Sequence, residues 1–595
     1  MKITSIIILT YNKLEYTQAC IESIRRFTPR GTYQLIVVDN LSTDGTRDWL
    51  AEQTDILTIF NDKNVGFPKG CNQGIELATG DNILLLNNDV LVSQGWLDLM
   101  TDCLYSSIDI GAVGPVTNSA YGDQEITASY TTIDEMWGFA NTYNAVTKPD
   151  WEQKLKLIGF CMLIKREVIE KVGLLDEAFS PGMCEDSDYS FRIMKAGYKN
   201  ILCRNVFIHH FGSTSFGDMP EQRQQLWNRN RETFEKKWGF HTAYHTQSRE
   251  DLVGMITEPD CMRKINVLDI GCACGATLLK VKHMYPNAAL FGIEKNQQAA
   301  TIASMVGEVV VGDAEKISYD IESYDYIFLG DILQQLEDPW GFLDKVKKSL
   351  KPDGKILASI PNAAHYSIIY SLLYNKALYG NGSVLERETK RLFTLSEIEN
   401  IFEQAGLFVS KYTKVNRNES SAVSQFIHHL STLNGANQDN HLSTVSYLVS
   451  AERKDSVSMT LMSVLEQMNE EIDQEAAIQH IVQMVQGGAV HSSLIISAVN
   501  RLEIDKQRIL NVLATRFFNE GFYNDIIPLL NASLEINDRH YDTLFNYASI
   551  LHSIGANDQA LNCLERIVEK DQEVISLQEK ILLQLQLVVR QDDHL

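Results

Sequence analysis

Residues 83–89 read Ile-Leu-Leu-Leu-Asn-Asn-Asp. An apolar run of strand length stops abruptly at polar residues and ends in a carboxylate, Asp89. The run is too short for an ordinary helix and reads as a buried strand. In an open α/β sheet, ligands sit just beyond the carboxyl ends of the strands. A carboxylate delivered there can hold a divalent cation against a diphosphate. Hard cations take oxygen ligands and neutralise charge on a phosphate leaving group. In isolation the same stretch is a strand closed by an Asn-Asp turn, so its neighbours decide.

Upstream, Ser-Ile-Ile-Ile-Leu-Thr-Tyr-Asn (5–12) is another apolar run ending in polar groups. Leu14, Thr17, Ile21 and Ile24 follow at helical spacing, with Thr28-Pro29 as a stop. A strand from Leu35 to Val38 ends at Asp39-Asn40, and Ser42 to Thr46 makes a turn and a helix start. Asn64-Val65-Gly66-Phe67-Pro68-Lys69-Gly70-Cys71-Asn72 leads into a further helix and then the Asp89 strand. The order β-α-β-α-β is a nucleotide-binding half of a doubly wound sheet. No Gly-x-Gly-x-x-Gly follows the first strand, which argues against a dinucleotide site.

Downstream, Gly159 to Ile164 reads as a buried strand. Cys184-Glu185-Asp186-Ser187-Asp188 then places three carboxylates at a helix start. The helix dipole favours acids there, and it accounts for one or two of them more easily than for three. Val206 to Ser215 ends a strand with paired histidines, His209-His210.

Thr10-Tyr11-Asn12, Val38-Asp39-Asn40, Asn64-Val65-Gly66-Phe67, Asn87-Asn88-Asp89, Glu185-Asp186-x-Asp188 and the His209-His210-Phe211-Gly212-Ser213 block resemble, in order and spacing, the motifs of family 2 glycosyltransferases with the GT-A fold. The resemblance covers residues 1–245. It implies an inverting transferase that uses a nucleotide-diphosphate sugar with Mg2+ or Mn2+. On it, Asp39 binds the base, Asp89 the metal, and Asp186 is the general base. His209, ahead of His210, is a further metal or diphosphate ligand. Thr10, Tyr11, Asn12, Asn64, Gly66, Lys69, Asn72, Asn87, Asn88 and Glu185 complete the donor site. Asn87 stands where many relatives carry Asp, one carboxylate fewer for the metal. The residue types suit the chemistry: an acceptor hydroxyl is a poor nucleophile, and a positioned carboxylate takes its proton as the new bond forms. The stretch 118–156, with Trp137, Tyr143 and Trp151, is expected to supply the pocket that selects sugar and acceptor.

At 595 residues the chain is too long for one core. A formal net charge of −24 argues against a nonspecific nucleic-acid partner or a basic membrane-binding patch. No run of about 18 apolar residues occurs, so no membrane span is expected. The short N-terminal apolar run lacks a cleavage site and reads as a strand, not a signal peptide. The ten cysteines are scattered. Cys272-Ala273-Cys274 is too tight for a paired zinc knuckle, and the set reads as reduced thiols of a cytoplasmic protein.

A second ordered pattern begins with the strand Asn266 to Ile270, followed by Gly271-Cys272-Ala273-Cys274-Gly275. Small residues there let the backbone approach a ligand closely at a helix start. A strand from Ala289 to Ile293 ends at Glu294, an acid suited to a ribose diol. Glu308 to Val311 leads to Asp313, and Tyr324 to Leu329 precedes Gly330-Asp331. The loop and one acid alone fit a dinucleotide fold as well. The whole block, 263–415, resembles class I S-adenosylmethionine-dependent methyltransferases. On that resemblance Asp269, Gly271, Ala273 and Gly275 hold the amino-acid part of the cofactor, Glu294 the ribose and Asp313 the adenine, with Asp331 lining the same cleft. The block departs from the pattern in three places: Ala273 replaces the usual middle glycine, Gln334-Gln335 stand where many relatives carry Glu-His, and Lys390 stands where a histidine usually precedes the Arg391 position. His365 is the remaining base candidate. Two readings stay open, an O-methyltransferase acting on the sugar and a non-catalytic scaffold for a glycan-assembly complex.

From about residue 456 glycine is sparse and apolar residues fall at helical spacing. Ala514, Gly521, Ile526 and Leu530 recur as Ala548, Gly555, Ala560 and Leu564, each offset by 34. That period resembles tetratricopeptide repeats, two helices per repeat. The sequence thus predicts an α/β multidomain protein: a GT-A domain over 1–245, a linker over 246–262, a Rossmann-like methyltransferase domain over 263–455 and an all-α helical-repeat tail over 456–595. The implied enzyme is cytoplasmic and transfers a sugar from a UDP- or dTDP-activated donor. Rhamnose is favoured by the form Asn-Asn-Asp-Val. The acceptor is a surface glycan or a surface protein such as flagellin, and the tail offers a place for a protein partner.

Overall fold

The structure, a computed structural model, describes residues 2–592 apart from 146–147, 213–219, 381–382, 418–420, 434–438, 455–456, 471–472 and 489. Ser213 of the histidine block and the boundary expected at 455–456 therefore lie outside the described residues.

The apolar runs become strands buried on both faces: Ile6, Ile7, Ile8, Val37, Leu84 and Leu85 are all shielded from water. Such strands read as continuous apolar runs rather than alternating ones. The strands are β1 (Thr4–Thr10), β2 (Tyr33–Asp39), β3 (Ile56–Phe60), β4 (Asn82–Asn87), β5 (Val90–Leu91), β6 (Ile110–Val116), β7 (Trp151–Lys154), β8 (Cys161–Lys165), β9 (Lys199–Phe207) and β10 (His209–His210). Eight of them form one sheet in the order β3-β2-β1-β4-β8-β6-β9-β7. Strands β2, β1 and β4 run parallel, with Thr10 beside Asp39 and Leu9 beside Asn87. The chain reverses its direction of travel across the sheet at β1 and β4, the switch point where ligands bind. Strands β5 and β10 pair separately and antiparallel, His210 opposite Val90.

A second sheet follows from β11 (Asn266–Ile270), β12 (Ala289–Glu294), β13 (Glu308–Val311), β14 (Tyr324–Gly330), β15 (Leu350–Pro361), β16 (Leu407–Asn416) and β17 (Thr444–Arg453), ordered β13-β12-β11-β14-β15-β17-β16. Its switch point lies between β11 and β14, where the loop 271–275 and Asp331 emerge.

Both sheets belong to one compact unit. A shared apolar cluster joins them: Phe179, Phe191, Phe234 and Trp238 from the first part pack with Cys274, Leu279 and Ile302 from the second. Lys280 sits 3.3 Å from Glu152 of β7, and the Asn296 side chain donates to the Gly239 carbonyl at 2.9 Å. The expected linker, 246–262, is not a tether. It contributes Leu252 and Val253 to the second core, and Arg249 reaches Asp331 at 2.6 Å. Its polar composition concealed two buried apolar residues and one anchored arginine.

Glu452–Leu595, with Lys351–Gly354 and Gly406–Phe408, forms a second compact unit. From Val457 on it is helical, from Val457–Asn469 through Gln572–Asp592. Gly521 and Gly555 both end helices with φ near +85°, a backbone region that favours glycine. Ala514, Ile526, Leu530, Ala548, Ala560 and Leu564 are buried.

Candidate active sites

Asp89 follows β4 directly, and β10 brings a histidine to it. Consecutive residues of a strand point to opposite sides, so only one of the pair can face Asp89. It is His210. Its Nε2 lies 3.2 Å from the Asp89 carboxylate and 3.4 Å from the Asn87 amide. His210 Nδ1 is 2.7 Å from the Ser119 carbonyl, an acceptor, so Nδ1 carries a proton and Nε2 is the atom offered to the site. Burial works against a charge on His210, but the Asp89 carboxylate outweighs it and raises the pKa. The ring stacks on Phe160 at 5.2 Å. His209, the expected ligand, turns away. Its Nδ1 shares a hydrogen bond with the Tyr130 hydroxyl at 2.7 Å, and burial lowers its pKa to about 4. One nitrogen and one carboxylate form a donor set that suits Mn2+ or Mg2+ completed by phosphate oxygens. Among the described residues no group of three or more such side chains gathers.

The three acids of the helix Glu185–Lys195 have separate situations. Asp188 is buried and tied to Arg192 at 2.9 Å, Lys237 at 2.6 Å and the Trp238 indole at 2.9 Å. Glu185 is buried, and desolvation with the neighbouring Asp186 charge pushes its pKa up to about 8. Asp186 is half-buried; its Oδ2 accepts from Gly159 N at 3.1 Å and its Oδ1 from Ser187 N at 2.6 Å. Burial and partners separate the three: Asp188 is locked in ion pairs, Glu185 is pushed towards its neutral form, and Asp186 is the least buried. The strap 155–159 runs along this helix, held by Ser190 Oγ at Leu157 N and by Asn200 at the Leu155 carbonyl. Lys156 on that strap feels the Asp186 charge, although burial lowers its pKa. Sequence reading missed Lys156, since a lone lysine between strands carries no signal.

The other donor-site residues divide. Asp39 is buried at the end of β2, accepts from Ser42 N, and faces Arg47 at 3.4 Å. Asn12 receives Thr43 N at 2.7 Å, tying the loops after β1 and β2 together, and Tyr11 is exposed beside it. Asn64 accepts from Gly66 N, and Gly66 (φ +86°) packs so close to Ser180 and Pro181 that a Cβ would clash. That contact ties this loop to the segment feeding Glu185. Asn88 is turned inward onto Thr10 and Thr17, and Asn72 clamps Leu175 through both amide atoms. These hydrogen bonds let the two asparagines position the loops. Lys69 pairs with Glu177 at 3.7 Å. Trp137, Tyr143 and Trp151, each partly buried, pack on Phe27, Phe207 and the β-sheet core.

In the second sheet Gly271, Ala273 and Gly275 all take left-handed backbone, Ala273 with φ +49°. That conformation explains the usual glycine and makes the alanine a strained exception. Glu294 accepts from Ala273 N at 2.9 Å and from Asn296 N at 2.8 Å, so it shapes the loop as well as facing the cleft. Asp269 is buried and pushed up to about 7 by desolvation, with Arg249 opposing and Glu294 adding to the rise. Asp331 (φ +53°) is held by Arg249 at 2.6 Å and Ser359 at 2.7 Å. Asp313 is more open and pairs with Lys316 at 3.0 Å. The Gln334 and Gln335 amides both donate to the Asp331 carbonyl, and the Gln334 carbonyl receives Lys390 N and Arg391 N. Those glutamines brace the cleft. His365 caps the helix Tyr366–Leu373, its Nδ1 at Ser367 N and 2.7 Å from Ser367 Oγ. The role this geometry gives it is structural.

Residues 5–173 match the family described as Glycosyl transferase family 2, and residues 224–411 match one described as Methyltransferase domain. The chain carries a family 2 glycosyltransferase domain and a methyltransferase domain. The chain is 26% identical over 254 residues to an uncharacterized protein of Sinorhizobium fredii, covering 40% of this chain and 28% of that protein. It is 25% identical to the glycosyltransferase AglE of Haloferax volcanii, covering 37% of this chain and 70% of AglE. Among solved structures it is similar to a mannosyltransferase of Pyrobaculum calidifontis in complex with GDP-Man and Mn2+. That likeness has TM-score 0.30 and 19% identity, and covers 40% of this chain and 64% of that one.

Proposed function

We propose that this chain is an inverting, metal-assisted glycosyltransferase whose fused methyltransferase domain binds S-adenosylmethionine. One observation carries the first part. Gly159 and Phe160 are consecutive, and they hold the two halves of the chemistry together: Gly159 N donates to Asp186, and the Phe160 ring stacks on His210. Asp89 and His210 would hold Mn2+ or Mg2+ at the diphosphate. When bound, the cation neutralises charge on the leaving nucleotide. Asp186 takes the proton of the acceptor hydroxyl as its oxygen attacks the anomeric carbon. One displacement inverts that centre, and no second carboxylate is needed as a covalent nucleophile.

The donor is a UDP- or dTDP-sugar, with rhamnose favoured by the Asn87-Asn88-Asp89-Val90 form, and the product is a surface glycan or a glycosylated surface protein such as flagellin. Among the described residues no helix is long and apolar enough to cross a membrane. All ten cysteines are free, in keeping with work in the cytoplasm. The methyltransferase domain would place the methionine part of its cofactor at 269–275 and the ribose at Glu294, and O-methylate the transferred sugar. Gln334-Gln335 in place of Glu-His favours a scaffold as the second reading for this domain. The helical tail would hold a protein partner. A thermal-shift screen of nucleotide sugars with and without Mn2+ tests the reading, since a ligand that binds only the folded state raises Tm. A metal-dependent rise with one donor class supports it, and no rise with any nucleotide diphosphate defeats it.

A further inference from the structure

Ser119, whose carbonyl orients His210, is followed two residues later by Tyr121, which is 72% exposed. A lone exposed tyrosine is ordinary, but this one is held. Its ring stacks on Trp227 with centroids 6.3 Å apart and planes 30° from parallel, and its hydroxyl accepts from Arg223 at 3.3 Å. Trp227 lies on the helix Pro220–Trp238 one turn before Asn230. Asn230 is buried and donates to the carbonyls of Phe179, Gly182 and Met183, the segment that delivers Glu185 and Asp186. The aromatic pair therefore joins the metal side of the site, through Ser119, to the base side, through Asn230. An acceptor must present its hydroxyl between those two sides.

We infer that Tyr121 and Trp227 form an acceptor subsite that stacks on the face of a pyranose ring; this rests on the glycosyltransferase reading above. An aromatic face is electron-rich and meets electropositive edges favourably. The axial C–H groups of a pyranose supply such an edge, whereas a serine or threonine hydroxyl supplies none. The outer face of Tyr121 is open, and stacking on Trp227 with the Arg223 contact fixes its orientation in advance, which lowers the ordering cost of binding. The acceptor is accordingly a sugar, and the subsite sets acceptor preference without touching the nucleotide.

Saturation-transfer NMR on the full chain with UDP or dTDP and Mn2+ tests this, using methyl β-glucopyranoside, methyl β-galactopyranoside and methyl α-rhamnopyranoside as probes. At least one should receive saturation at its ring C–H protons. The signal should fall at least about threefold in Tyr121→Leu and in Trp227→Leu, and persist in Tyr121→Phe, which keeps the face and loses the hydroxyl. No transfer to any probe in the wild type, or equal transfer in both leucine variants, overturns the subsite. Calorimetric titration of the nucleotide diphosphate separates the failures: if it binds and the pyranosides do not, the subsite alone falls; if it does not bind, the glycosyltransferase reading falls with it.

Discussion

His210 Nε2 stands 3.2 Å from the Asp89 carboxylate, while His209, its neighbour in the chain, bonds the Tyr130 hydroxyl on the other side of the ribbon. The two histidines therefore have separable effects. Asp89→Ala and His210→Ala should each weaken Mn2+-stimulated binding of a nucleoside diphosphate by about tenfold or more, roughly 1.4 kcal/mol. His209→Ala should keep that stimulation and lower Tm through its lost packing. Calorimetry with and without Mn2+, beside a melting curve, checks all three. A His210 variant with intact stimulation would remove it from the metal site.

Asp186→Asn should leave donor binding near wild type and cut transfer by about two to four orders of magnitude, the range for a lost general base. Asp188→Asn should behave differently. It would take the buried carboxylate from Arg192 and the Trp238 indole, while Lys237 keeps Asp176 at 2.6 Å, so its first sign is a lower Tm. Steady-state transfer rates and melting curves on both variants separate the roles.

The carboxyl of Glu185 gives a pH signature. Its folded pKa, about 8, lies above the ordinary 4.5 because burial and Asp186 disfavour its charge. Between those values the unfolded chain has released the proton while the folded one keeps it. This group therefore costs stability progressively as pH rises from about 4.5 to about 8. Glu185→Gln removes the term. The variant should melt close to wild type near pH 5 and several degrees above it near pH 8. A Tm difference that stays flat across that window would show that Glu185 ionises freely.

Glu294→Ala should weaken S-adenosylhomocysteine binding by about tenfold or more. It would remove the proposed ribose partner and free Ala273 N and Asn296 N, and an unsatisfied buried polar group costs roughly 1–3 kcal/mol. Titration of the full chain checks this. Wild-type chain that fails to bind at millimolar ligand would favour the scaffold reading.

Strand runs and their terminal acids were legible because a buried parallel strand has no alternation to obscure, and its end marks a switch point. Asp39, Asp89 and Glu294 were read that way, whereas Asp186 was read as one of three acids at a helix start. Which histidine faces Asp89 was not legible, because the register of β10 against β5 is a long-range pairing that local pattern does not encode. The clamping bonds of Asn72 and Asn88 were not legible either, because a buried asparagine clamp and a binding asparagine have the same sequence signature. Arg249 was missed for the converse reason: its partner, Asp331, lies far along the chain, so its polar neighbourhood read as linker.

The cluster that packs Phe191 and Trp238 against Cys274 and Ile302 makes the two modules poor interchangeable parts. A fragment cut after residue 245 would carry a bare aromatic surface into solution, and would be expected to clump or to demand its missing half. Grafting a different methyltransferase onto this glycosyltransferase would succeed only if the graft reproduced that small patch. Engineering of either module has to treat the pair as one object.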